Sequence, residues 1–270
     1  MTLLAVKLLL APSFVVGASL IARRYGPRVG GLIAGLPVVA GPILLAYALA
    51  HGRAFAAGAA AGTLLGLVSL IAFVVVYGRL APRVFWGASM LAGWLAFAAG
   101  TAVFSELSLP VGGALALAGV AVAAGLAALP RAGRDRLLHA SPPRWDLPVR
   151  AACALALVLT LTAVSGWLGP QLSGLLAPFP IIATVLATFT HAQRGADELL
   201  TLLRGLVSGF VAFALFCFTL AATLHHLDTG AAFALATALA LVTQGVVLVF
   251  VSTRSPAGAT WWRTRSRASA

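Results

Sequence analysis

Nine apolar runs of about 20 residues follow one another along this chain, at 2–22, 30–50, 55–77, 84–104, 110–129, 149–168, 172–192, 199–224 and 229–252. A helix of that length crosses a hydrocarbon core of roughly 30 Å with every backbone group satisfied internally. A membrane β-strand would be half as long and would alternate in polarity, so the runs predict an all-α polytopic membrane protein of about nine spans. The charge content agrees. Only 9% of the residues are charged, against roughly 25% in a soluble domain, too few to build a water-facing surface. The 28 glycines and the many alanines suit helices that approach closely in lipid. The N-terminus has no basic segment before its first apolar run, so that run is expected to be a span and not a cleaved signal.

The formal charge is +12. In a soluble protein this would point to nucleic acid; here the basic residues sit in short loops, where they carry topology. With nine spans, 16 of the 18 basic residues fall on one side, and Lys7 and Arg53 alone fall on the other. The positive-inside rule then predicts an external N-terminus and a cytoplasmic C-terminus. Arginine supplies 17 of the 18 basic residues, a bias expected of a GC-rich bacterial genome. The expected location is therefore a bacterial cytoplasmic (inner) membrane.

Shifted by 143 residues, the chain matches itself. Gly26-Pro27 falls on Gly169-Pro170, Gly31-Leu32 on Gly174-Leu175, Pro37 on Pro180 and Gly52 on Gly195. Positions 26–52 contain 8 identities, and Gly62, Gly66, Phe73 and Gly87-Ala88 continue the register onto Gly205, Gly209, Phe216 and Gly230-Ala231. The match relates span 1 to span 6 and spans 2–4 to spans 7–9, leaving span 5 unpaired. The expected organisation is 4+1+4: residues 1–106 as repeat 1, 107–146 as a linking span and cytoplasmic loop, 147–253 as repeat 2, and 254–270 as a basic cytoplasmic tail. Equivalent helices lie an odd number of spans apart, so they run in opposite directions. Inverted repeats of this kind recur in secondary transporters; they are also left behind when a dual-topology dimer is fused.

Residues 172–216, LSGLLAPFPIIATVLATFTHAQRGADELLTLLRGLVSGFVAFALF, resemble the GlpM-like membrane proteins. Those are short four-span chains with a Gly-rich, Pro-containing helix followed by a His/Arg-Gly loop. The resemblance implies architecture more than activity: a head-to-tail pair of such units, with span 5 added to invert the second. The first half departs from the pattern at GLPVVAGP and has Ala48 where His191 stands.

Matching Pro/Gly breaks are the strongest candidate site. Span 2 carries Gly35, Pro37, Gly41 and Pro42; span 7 carries Pro178 and Pro180. A mid-helix proline removes a backbone bond and clashes with the preceding turn. Broken spans at corresponding places in two inverted halves point to a substrate site between them, although an ordinary proline kink would leave the same trace. Thr184, Thr188 and His191 share one helix face at i, i+4, i+7 and could line a path. Thr can equally bond its own i−4 carbonyl. Asp197 and Glu198 are expected to cap the eighth span, and Lys7 and Arg150 to snorkel to their interfaces. Gly58, Gly62 and Gly66, with Gly205 and Gly209, are expected to form a packing face. Cys153 and Cys217 are expected to be small apolar fillers, and Trp261-Trp262 with the arginines after it an anchor at the membrane surface.

No catalytic motif, metal-ligand spacing or phosphate loop occurs, so neither an enzyme nor a cofactor is expected. The expected partners are membrane lipids and a small neutral, amphiphilic or lipid-linked substrate moved by a secondary transporter, with no nucleic acid. The alternative is a non-transporting accessory or scaffold protein of an envelope or polysaccharide assembly system.

Overall fold

Glycine and proline divide the helices of the computed structural model, which describes residues 2–107, 109–133, 145–165 and 179–253. These residues form nine helices and no strand: α1 (Thr2–Tyr25), α2 (Pro27–Ala34), α3 (Ala40–His51), α4 (Arg53–Leu80), α5 (Trp86–Ser105), α6 (Val111–Ala128), α7 (Asp146–Ser165), α8 (Ile181–Thr223) and α9 (Thr229–Thr253). Five segments are long and apolar enough to cross a membrane: Arg53–Leu80, Trp86–Ser105, Val111–Ala128, Ile181–Thr223 and Thr229–Phe250. The chain is thus an all-helical protein of multi-pass membrane character.

At 43 residues, α8 would measure roughly 65 Å if straight, twice the membrane. Gly195 divides it, with φ 83° and ψ −178°. Gly52, between α3 and α4, has nearly the same geometry at φ 88° and ψ 169°. This region of backbone space is open essentially to glycine alone. The two residues are 143 positions apart, and each precedes a helical segment of 28 residues, Arg53–Leu80 and 196–223. Helices α5 and α9 begin at Trp86 and Thr229, again 143 apart.

The buried faces follow the same spacing. On α5 the buried residues are Ser89, Gly93, Phe97 and Thr101; on α9 they include Ala232, Ala236, Ala240 and Gln244. Both sets recur every four residues, one narrow stripe per helix. The outward faces are apolar too, with Leu91 and Leu95 on α5 and Leu235 and Leu239 on α9 all exposed. Such surfaces would associate in water and are suited to lipid.

Helix α8 is the hub, packing on α1, α2, α4, α5, α6, α7 and α9. Its closest partner is α2, and glycine makes the approach possible. A Cβ at Gly31 would collide with the Leu202 carbonyl, and one at Gly205 with the Arg28 carbonyl. A Cβ at Gly35 would lie 2.8 Å from the Cα of Gly209. Gly205 and Gly209 are thus the expected packing face, although the helix they meet is α2. No described atom lies within 4 Å of a Cβ placed at Gly58 or Gly62. Gln244 on α9 donates its side-chain N–H to the Leu32 carbonyl, tying α9 to the end of α2. Helix α6 packs on both α4 and α8, where a Cβ at Gly125 would meet Ile71 and Val207.

Candidate functional site

The backbone between α2 and α3 is broken over Gly35–Val39. Pro37 has no N–H for the Ile33 carbonyl, and the Leu36 N–H takes that acceptor instead at 3.1 Å. The carbonyl freed by the proline therefore finds a local partner, a tightened turn, and needs no ligand. The Val38 N–H then bonds the Leu36 carbonyl at 2.8 Å, and the Gly41 N–H bonds the Pro37 carbonyl at 2.8 Å to start α3. Before α8 the pattern repeats at an offset of 143: Ile181 N–H to Phe179 carbonyl at 2.7 Å, and Thr184 N–H to Pro180 carbonyl at 2.7 Å.

The two breaks face one another across a cavity of ≈ 50 Å³. One wall carries Leu36, Pro37, Val39 and Ala40; the other carries Phe179, Pro180, Ile182 and Ala183. Leu70 of α4 and Phe213 of α8 close it. These ten residues form five pairs, each 143 apart. The described residues that line the cavity are all apolar, a lining that suits an apolar or neutral group.

Of the sequence-derived candidates, Pro37 and Pro180 line this cavity. Gly35 lies behind it against Gly209, and Gly41 faces Phe216, which a Cβ there would meet at 3.4 Å. Pro42 stands half-buried in the first turn of α3. Pro178 lies outside the described residues. Thr184, Thr188 and His191 follow Pro180 on α8 but stand off the cavity wall. Thr184 is buried and accepts a hydrogen bond from the Trp94 indole N–H at 3.0 Å, so its hydroxyl ties α8 to α5. Thr188 is half-buried, and His191 Nδ1 lies 3.5 Å from the Tyr77 hydroxyl of α4.

A second polar centre, unforeseen from sequence, joins α1, α7 and α8. Asp146 is fully buried and accepts from Arg150 Nε at 2.9 Å, from Gln193 Nε2 at 2.6 Å and from Arg23. Arg194 pairs with Glu198 across the Gly195 break, and the Arg150 guanidinium lies 4.9 Å over the Phe189 ring. A cavity of ≈ 20 Å³ opens among Ser19, Arg23, Arg150, Thr190, Arg194 and Glu198. Arg150 is only 5% exposed, so it does not snorkel as expected; the buried carboxylate draws it inward. The side chain of Lys7 lies outside the described residues.

Asp197 and Glu198 do open the segment after Gly195, but their side chains reach away from its N–H groups: Asp197 accepts from the Gly133 N–H at 2.8 Å and Glu198 from Arg194. Cys217 is buried and Cys153 half-buried, both as free thiols. Asp228 accepts from the Ala231 N–H at 3.0 Å and so caps α9. No group of three or more possible metal ligands occurs among the described residues. The tail with Trp261 and Trp262 lies outside them. Compared with protein-family models, curated proteins and solved structures, the chain matches none.

Proposed function

We propose that the chain is a secondary-transporter-like protein of nine spans, in which two inverted four-span units flank α6 and move a small neutral or amphiphilic substrate by alternating exposure of the cavity between the breaks. One observation carries this reading: ten of the fourteen residues that line the cavity form five pairs related by the 143-residue offset, the other four being Ala34, Ile181, Leu206 and Phe210. A two-fold axis through the cavity would generate such pairing, and the odd number of spans between equivalents makes that axis lie in the membrane plane. The apolar wall favours a neutral or amphiphilic substrate, including a lipid-linked one. The resemblance of residues 172–216 to the GlpM-like proteins enters as a proposed kinship of each half, resting on sequence alone.

At ≈ 50 Å³ the cavity has room for a few waters, whereas ligand pockets measure roughly 300–1,000 Å³. On the transport reading this is the occluded conformation. The same small size favours the alternative, an accessory or scaffold protein whose breaks never open. Thiol labelling separates the two. With Cys153 and Cys217 replaced by Ala, Val39→Cys should react with a membrane-impermeant maleimide from both faces, in whole cells and in inverted vesicles. Protection from both faces, in chains that insert normally, would establish the static reading.

A further inference from the structure

We propose that Arg28, Arg131 and Arg204 form a binding site for the phosphate of an anionic phospholipid headgroup, at the membrane edge where α2 begins and α6 ends. The glycine contact between α2 and α8 presses the backbone of Arg28 onto Gly205, so Arg28 and Arg204 are neighbours. Arg204 Nη1 donates to the Leu129 carbonyl at 2.9 Å, which holds its guanidinium at the end of α6. Two residues on, the chain presents Arg131, which is exposed. Arg28 and Arg131 both lie near enough to Arg204 for their charges to act on it, so three cationic side chains gather where α2 begins and α6 ends.

Their charge has no counterpart among the described residues. The ion pairs there are Arg23–Asp146, Arg150–Asp146 and Arg194–Glu198, and none involves these three arginines. Asp197, on the same helix as Arg204, accepts from the Gly133 N–H and forms no ion pair with any of the three. Arg28 Nε is buried and has no hydrogen-bond partner among the described residues. Leaving a charged donor buried and unpaired is costly, and a planar guanidinium fits the oxygens of a phosphate two at a time. Arg28 also lies in the first turn of α2, after Pro27, where the helix dipole favours an anion.

The depth of the site selects a lipid phosphate over a soluble one. It sits where the 18-residue apolar helix α6 ends, and if α6 spans the membrane that end falls at the level of a headgroup. All three arginines lie on the side that the positive-inside rule assigns to the cytoplasm, the leaflet rich in anionic lipid. The inference is independent of transport.

The full chain in neutral detergent, titrated with phosphatidylglycerol and followed by native mass spectrometry and thermal unfolding, tests it. Arg28→Gln with Arg131→Gln should weaken binding roughly 30-fold, at the worth of a basic residue near a membrane surface. Arg131→Gln alone should weaken it roughly fivefold, and being exposed it keeps the test open if the double variant fails to fold. Arg53→Gln, at the opposite end of α4, should leave the lipid increment unchanged, and phosphatidylcholine should bind far more weakly. Phosphatidylglycerol binding that ignores both Arg28 and Arg131 would overturn the site. Saturation by millimolar inorganic phosphate, with no added effect of lipid, would overturn the lipid assignment.

Discussion

Pro37 and Pro180 stand on opposite walls of one apolar cavity, 143 residues apart, and each is followed by the same two backbone hydrogen bonds. In each case a tight turn bonds the residue after the proline to the residue before it, and the proline carbonyl then starts a new helix. The two breaks are therefore one local structure used twice. Restoring an N–H at each proline tests what the breaks do. A helix interior favours Ala over Pro by ~3 kcal/mol, a bias of roughly a hundredfold. Replacing both Pro37 and Pro180 with Ala should suppress two-sided labelling of Val39→Cys while leaving insertion intact. Labelling as strong as in the parent would mean that the breaks are incidental.

The glycine contact between α2 and α8 gives a second expectation. Gly31→Ala places a methyl group against the Leu202 carbonyl, and backbone cannot move aside as a side chain can. Overpacking of this kind costs about 1–3 kcal/mol. Gly245→Ala on α9 meets nothing within 4 Å and should be neutral or gain up to ~1 kcal/mol from helix propensity. Thermal unfolding in detergent reads both. Equal tolerance of the two would contradict the close helix approach.

Asp146 tests the buried charge network. Its removal by Asp146→Ala strands Arg150, whose side chain is 6% exposed, and should cost about 3–5 kcal/mol. Arg23→Gln should cost about 1 kcal/mol or less, because the Arg23 side chain is 26% exposed and reaches water when unpaired. Denaturant titration of the purified protein orders the two variants; a reversed order would mean that Arg23, and not Arg150, is the main partner.

Topology follows from the basic residues. Reporter fusions at Ser108, at Ala140 and at the C-terminus should read outside, inside and inside. The expectation rests on the 16-to-2 partition of basic residues about nine spans. A fusion after Ala140 that reads outside would remove both the nine-span count and the inversion of the halves.

Sequence alone determined the features that depend on a residue and its near neighbours. Long apolar runs become helices because lipid offers the backbone no other partner. Pro37 and Pro180 break their helices because a proline has no N–H to give, and Gly52 and Gly195 turn the chain because other residues avoid that geometry. The 143-residue spacing of these features was legible for the same reason, since identical local chemistry leaves an identical local mark. Tertiary structure decided which groups met. Arg23 and Asp146 are 123 residues apart, Trp94 and Thr184 are 90 apart, and Gln244 and Leu32 are 212 apart. A polar side chain in lipid takes whichever partner the packing brings within reach, and nothing in its neighbouring sequence names that partner. That is why Thr184 meets Trp94 of another helix, and why Arg150, expected to reach an interface, is buried on the Asp146 carboxylate.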